Sequence, residues 1–206
     1  MRRWWLSPLL LACVASARGA DTTTVAAAAD LTFALGEIAA TYERDTGNRI
    51  RISFGSSGNL ARQIPQGAPV DLFLAADEED IFRLAAQGFL RDRGRLYAIG
   101  RIALLAPHGS PLPVDGELQG LAAALADGRL QRLAIANPEH APYGRAARAA
   151  LERAGLWQPL QGRLVLGDNV AQAARFALSG SAQGGVACCR RFSAITCCSV
   201  LAMLRR

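Results

Sequence analysis

The sequence predicts an α/β protein of two lobes, each a mostly parallel sheet flanked by helices, with an incomplete C-terminal part. Three observations carry this. Short apolar runs alternate with segments of helical periodicity. The ends of several of these runs carry glycine, serine or asparagine where a helix begins. The body between residues 21 and 187 has no cysteine, so it relies on a packed core rather than on disulfides. At 206 residues and 51% hydrophobic the chain is long enough and apolar enough to bury such a core.

The elements follow in order. Thr22 to Ala28 reads as a buried strand, and Leu31, Leu35, Ile38, Ala39 and Tyr42 recur at helical spacing until Gly47 stops the helix. Ile50 to Phe54 is a strand, Asn59 to Ile64 a short helix, Val70 to Ala75 a strand, and Glu78 to Gln87 a helix ended by Gly88. Tyr97 to Ala106 is a long apolar strand able to carry the chain from the first lobe, residues 21–100, to the second, residues 101–187. Leu118 to Ala126 then reads as a helix, Arg132 to Ala136 as a strand, and Gly144 to Ala154 as a helix. Arg163 to Leu166 is a strand and Val170 to Leu178 a helix capped by Asp168 or Asn169. Gly184 to Ala187 begins a further strand.

The ends of the chain differ from this body. Residues 1–20 have the order of an export signal: Arg2 and Arg3, an apolar segment from Trp4 to Val14, then small residues. Cleavage fits Ala15-Ser16-Ala17 or the bond after Ala20. Leu10-Leu11-Ala12-Cys13 also fits a lipoprotein box, and an uncleaved anchor is a third course. Export places the body outside the cytoplasmic membrane. Residues 188–206 hold four cysteines, four arginines and neither acid nor glycine, so the expectation is an aberrant tail foreign to the fold, with a natural apolar helix as the alternative.

Charge excludes one class of function. The formal charge is +6, but Arg2, Arg3, Arg18, Arg190, Arg191, Arg205 and Arg206 supply seven positive charges, leaving about −1 for residues 21–187. A body without basic excess is not built for a nucleic-acid backbone. The Cys188-Cys189 and Cys197-Cys198 pairs lack zinc spacing, and no direct metal-ion ligands or cofactor are expected.

Four strand-to-helix corners are candidate ligand sites. Phe54-Gly55-Ser56-Ser57-Gly58-Asn59-Leu60 offers N–H groups, two hydroxyls and glycines that permit close approach, which suits an anion as well as a simple cap. Ala29 and Asp30 close the first strand. Asp30 reads as an N-cap accepting from Thr32 or Phe33, with its backbone N–H rather than its carboxylate available to an anion. Asn137-Pro138-Glu139-His140-Ala141-Pro142-Tyr143-Gly144 feeds the next helix, either as a plain loop or with the phenol or N–H of Tyr143 at a cleft. Asp168-Asn169-Val170 opens another, with the N–H of Val170 free to face the same cleft. Each corner falls at the carboxyl end of a strand, where α/β sheets bind ligands.

These segments, with Ala27-Ala28-Ala29-Asp30-Leu31-Thr32 and Gly67-Ala68-Pro69-Val70-Asp71-Leu72-Phe73-Leu74-Ala75-Ala76-Asp77, resemble the periplasmic molybdate-binding proteins of bacterial ABC importers over roughly residues 22–187. The resemblance implies a two-lobed periplasmic-binding-protein-like fold and a periplasmic monomer that captures molybdate or tungstate and hands it to a membrane permease. It implies oxyanion contacts at Asp30, Ser57, Tyr143 and Val170, with Ala29 and Ser56 alongside. Two departures stand out: Asp30 occupies a position that often carries serine or asparagine, and the family's later return to the first lobe is absent here. Molybdate is a dianion without a proton, so its seat needs donors only, which hydroxyls and helix starts supply without a buried counter-charge. Competing readings are a binder of sulfate or phosphate, a serine hydrolase served by His108 or His140, and a non-functional truncated product.

Overall fold

The computed structural model describes residues 22–188 and the backbone of residues 196–203. The expected export signal, with Cys13 of the alternative lipoprotein box, and most of the expected tail lie outside the described residues.

β1 (Thr22–Ala28) is buried along its second half and pairs in parallel with β2 (Arg49–Gly55) and β3 (Leu72–Ala75). Strands covered on both faces carry continuous apolar runs, which is why Val25-Ala26-Ala27-Ala28 shows no alternation. A 3-10 turn over Ala29–Leu31 leads into α1 (Thr32–Thr46), and Gly47 ends that helix with a left-handed φ of 73°. α2 (Ser57–Gln63) follows β2, and α3 (Glu79–Ala86) follows β3. β5 (Leu133–Ala136) pairs in parallel with β6 (Leu164–Gly167) and β7 (Gly184–Cys188), repeating the arrangement in the second lobe. Its helices are α4 (Gln119–Ala126), α5 (Pro142–Arg153), the single turn α6 (Trp157–Leu160) and α7 (Val170–Leu178).

β4 (Arg95–Leu105) joins the two lobes. Its Ile102–Leu105 segment pairs antiparallel with β7, while Arg95–Arg101 pairs with β8 (Thr196–Met203). β8 also pairs antiparallel with β3, so the sheet order is β2-β1-β3-β8-β4-β7-β5-β6. The sequence reading offers an aberrant tail or a helix for this stretch and no return to the first lobe. Over Thr196–Met203 the backbone is a strand between two strands of that lobe, in place of the helix. The reason is general: a short apolar run such as Val200 to Met203 fits an inner strand and a buried helix equally well, and only long-range pairing decides.

Smaller corrections concern element ends. α2 begins at Ser57 rather than Asn59, and β3 is confined to Leu72–Ala75. α5 begins at Pro142, since proline at the first helical position lacks only an N–H that the helix does not use. In α1 the apolar stripe is only partly covered: Ala39 is buried, whereas Ile38 is 61% exposed and Tyr42 40%.

The largest apolar cluster lies in the second lobe, around Leu121, Leu130, Leu133, Ile135, Leu151 and Leu160. It extends to Ala28 at the end of β1 and Ala76 just after β3, so the strand ends of both lobes share one apolar floor. A second cluster, including Phe73, Ile81 and Leu84, packs α2 and α3 onto β1 and β3. None of the described helices is long and apolar enough to cross a membrane.

Candidate oxyanion site between the lobes

The site is built at four corners, each where a strand ends and a helix begins. At the first, Ala29 is buried and the Thr32 hydroxyl donates to its carbonyl at 2.7 Å. Asp30 lies inside the 3-10 turn rather than at the N-cap position, which Leu31 fills without a side-chain cap. Its carboxylate instead faces the other lobe: Oδ2 accepts from the Tyr143 hydroxyl at 2.9 Å. The reading of Asp30 as a cap is therefore replaced by a bond between lobes.

At the second corner Ser56 and Ser57 are 3% and 1% exposed. The Ser57 Oγ accepts from the N–H of Ala76 at 2.9 Å, an arrangement that leaves the hydroxyl proton to be given elsewhere. Ser56 is the N-cap residue of α2, yet its side chain makes no cap bond and lies 3.0 Å from Nδ1 of His140. Gly58 donates its N–H to the His140 carbonyl at 3.0 Å. A Cβ at position 58 would stand 2.5 Å from that oxygen, so only glycine permits this approach of the lobes.

The third corner carries β5 into α5 through Asn137 to Ala141. Tyr143, the second residue of α5, is 5% exposed. Gly144 lies so close to the Ala136 carbonyl that a Cβ would collide with it, which seats the start of α5 directly on the end of β5. At the fourth corner Asn169 caps α7, its Oδ1 accepting from the Gln172 N–H at 3.0 Å, and Val170 begins the helix. Tyr143, Val170, Ala28, Ala76 and Ala136 belong to one apolar cluster, and the second corner is tied to it through the bond from the Ala76 N–H to Ser57.

Further bonds tie the lobes at the rim. Asn59 Nδ2 donates to Asp168 Oδ1 at 2.9 Å, and the guanidinium of Arg62 donates to Oδ1 of the Asn59 side chain. Arg145 on α5 pairs with Asp77 after β3 and stands 3.7 Å from Glu79. Burial raises the Asp77 carboxyl above its ordinary value, against the opposing pull of Arg145. Its Oδ1 is buried without a hydrogen-bond partner, consistent with that cost. A cavity of about 710 Å³ is lined by Ile102, Leu104, Leu118, Leu151 and Val186 and includes no residue of the four corners.

Of the residues singled out from sequence, Asp30 touches Tyr143, Ser57 is anchored on the end of β3, and Tyr143 and Val170 share the floor beneath them. His140 and Asp168, which the sequence offered as a hydrolase base and a helix cap, and Asn59 are participants that sequence reasoning did not assign to the anion site. Ser56 and His140 are 84 residues apart, and no local pattern announces their contact.

A two-lobed α/β fold with helix starts and hydroxyls facing each other across the lobe boundary defines a solute-binding protein. Residues 23–193 match the family of bacterial extracellular solute-binding proteins, and the chain belongs to it. It is 38% identical over 177 residues to molybdate-binding protein ModA of Azotobacter vinelandii, covering 85% of this chain and 67% of that one. It is 34% identical to ModA of Rhodobacter capsulatus, covering 81% and 64%. The chain thus spans about two thirds of the length of these relatives. The solved periplasmic molybdate-binding protein of Azotobacter vinelandii superposes with a TM-score of 0.76 at 29% identity, covering 88% of this chain and 84% of that one.

Proposed function

We propose that this protein captures molybdate or tungstate outside the cytoplasmic membrane, in the periplasm, and presents it to the permease of an ABC importer without chemical turnover. The observation that carries the reading is that Tyr143 and Val170 share an apolar cluster with Ala28, Ala76 and Ala136, and that Ser57 is bonded to Ala76 of that cluster. The names of the relatives support the choice of anion.

The contacts follow from donor chemistry. The Ser57 hydroxyl, already accepting from Ala76, gives its proton to one ligand oxygen. Backbone N–H groups at Ala29 and Asp30, at Tyr143 and at Val170 give theirs to the others, and the positive ends of α5 and α7 favour the charge. Ser56 flanks them. A dianion held this way bridges both lobes, so binding favours the closed arrangement seen in the Gly58–His140, Asn59–Asp168 and Tyr143–Asp30 bonds. Opening pivots on β4 near Ile99 to Leu104, where the ladder passes from β8 to β7.

One observation favours a second reading. The Asp30 carboxylate is an acceptor, and an acceptor in the seat suits an oxyanion that carries a proton, such as hydrogen phosphate. Thermal unfolding with molybdate, tungstate, sulfate and phosphate separates the two. Molybdate or tungstate should raise the melting temperature with a Kd of about a micromolar or below, roughly −8 kcal/mol. Ser57→Ala should weaken this by about tenfold or more. A shift with phosphate or sulfate alone would defeat the proposal.

A further inference from the structure

Ser56 is placed where a serine normally accepts from the first turn of its helix, but its hydroxyl is turned away, 3.0 Å from Nδ1 of His140 in the other lobe. The ring is held at three points. Its own residue's carbonyl accepts from Gly58, Nδ1 meets Ser56, and Nε2 lies 3.7 Å from the Asp168 carboxylate that also receives Asn59. The His140 side chain is 12% exposed and Ser56 3%.

A serine hydroxyl has one proton to give. The Asp168 carboxylate favours a proton on Nε2, so a neutral ring accepts at Nδ1 and takes the Ser56 proton. Ser56 then has only lone pairs for a ligand. When the ring carries a second proton, Nδ1–H donates to Ser56 Oγ and the serine proton is released toward the seat.

We infer that His140 is a positioning residue that sets whether Ser56 donates or accepts, and thereby which protonation form of an oxyanion the seat prefers. With the ring charged, Ser56 is a donor and a fully deprotonated dianion is favoured; with the ring neutral, Ser56 offers an acceptor. The inference rests on the oxyanion reading of the Ser56–Ser57 corner. The charged group facing the ring is Asp168. Arg62 reaches the same cluster through Asn59, and Glu139, next in the chain, is exposed.

Calorimetric titrations of molybdate, tungstate and sulfate into the wild type, His140→Asn and Ser56→Ala, between about pH 5.5 and about pH 8, test this. The wild type should bind a dianion roughly tenfold tighter at the acid end, with proton uptake visible as a dependence on buffer ionisation heat. His140→Asn, which keeps a polar group near the Nδ1 position but does not titrate, should bind with a flat profile, and Ser56→Ala should lose most of the slope. A wild-type slope retained in both variants, or no slope in the wild type, overturns the inference while leaving anion capture intact. Sulfate binding with a His140-dependent slope and no molybdate binding would overturn the molybdate reading and leave this one standing. If none of the three anions binds, both fall. Ring nitrogen spectra of the free wild type at about pH 8 give a ligand-free check: an Nε2–H tautomer is expected, and an Nδ1–H tautomer would overturn the relay.

Discussion

The Tyr143 hydroxyl donates to Oδ2 of Asp30 at 2.9 Å, joining residues 113 positions apart and closing the second lobe onto the end of β1. The bond has two consequences of opposite sign for the protein. It stabilises the closed lobes, and it keeps a negative carboxylate beside a seat proposed for a dianion.

Asp30→Ser should therefore bind molybdate at least about tenfold more tightly than the wild type, because a like charge is replaced by a hydroxyl donor. Tyr143→Phe should cost about 1–3 kcal/mol of stability, since it strips a partly buried carboxylate of a donor. Calorimetry and urea unfolding measure the two effects. Weaker binding by Asp30→Ser would mean that the lost bond to Tyr143, or recognition by the carboxylate itself, outweighs the relief of charge.

Gly58→Ala places a methyl against the His140 carbonyl of the opposite lobe, at 2.5 Å in the closed arrangement. Because the collision is between lobes rather than within one, the fold should survive while closure is opposed. We expect an unchanged circular dichroism spectrum, a larger radius of gyration in the presence of molybdate, and affinity lowered by about tenfold or more. Normal compaction on adding ligand would contradict this.

Asp77 carries a testable pH dependence. Burial holds its folded-state pKa above the unfolded value near 3.8, with Arg145 acting in the opposite sense. For a carboxyl shifted upward, the folded state holds its proton more firmly. The ionised group therefore costs stability above its folded pKa, and that cost is relieved as pH falls through this value toward the unfolded one. Asp77→Asn should be no less stable than the wild type near neutral pH and should show a smaller gain on acidification. Urea midpoints at about pH 7 and near the unfolded value of 3.8 decide it; a marked loss of stability in Asp77→Asn at about pH 7 would show that the Arg145 pair outweighs burial.

Asp115 should behave in the opposite way. The N–H groups of Gly120, Glu117 and Gln119 donate to its carboxylate at 2.6, 2.9 and 3.0 Å, and the Gly120 bond leads in holding its pKa below the usual 3.8. These bonds brace the entry to α4, where Leu118 adopts a left-handed φ of 62° that a branched side chain rarely takes. The contribution is present above the unfolded pKa and is lost as pH falls through the lower folded one. Asp115→Asn should lower the melting temperature near neutral pH, and the difference from the wild type should shrink as pH falls below the unfolded value near 3.8. Equal melting temperatures at neutral pH would remove Asp115 from this role.

Legibility in the sequence tracked the range of the interactions involved. The bounds of β1 and of α7 follow from residues within one or two turns, and the structure selects Asn169 over Asp168 as the cap of α7. So does the stop at Gly47, where a left-handed residue without a Cβ is needed. The start of α5 was available in Pro142 but is obscured by the glycine two residues on. The exposure of Ile38 and Tyr42 in α1 was not legible, because amphipathic spacing states which face is apolar and not whether anything covers it. Within the site, the corners at Asp30, Ser57, Tyr143 and Val170 could be found as strand-to-helix junctions, whereas the side-chain partners of Asp30 and Ser56 could not.

The sequence by itself determined the alternation of strands and helices, the placement of hydroxyls and helix starts at strand ends, and the charge balance of the body. Each of these is written in neighbours a few residues apart, where periodicity, capping and turn chemistry act. Only the tertiary structure decided that β8 lies between β3 and β4, that Asp30 meets Tyr143, and that Ser56 turns from its own helix to His140. Those outcomes depend on pairing and packing between segments some eighty or more residues apart, and the energy that selects them appears only once the sheet has brought both lobes together.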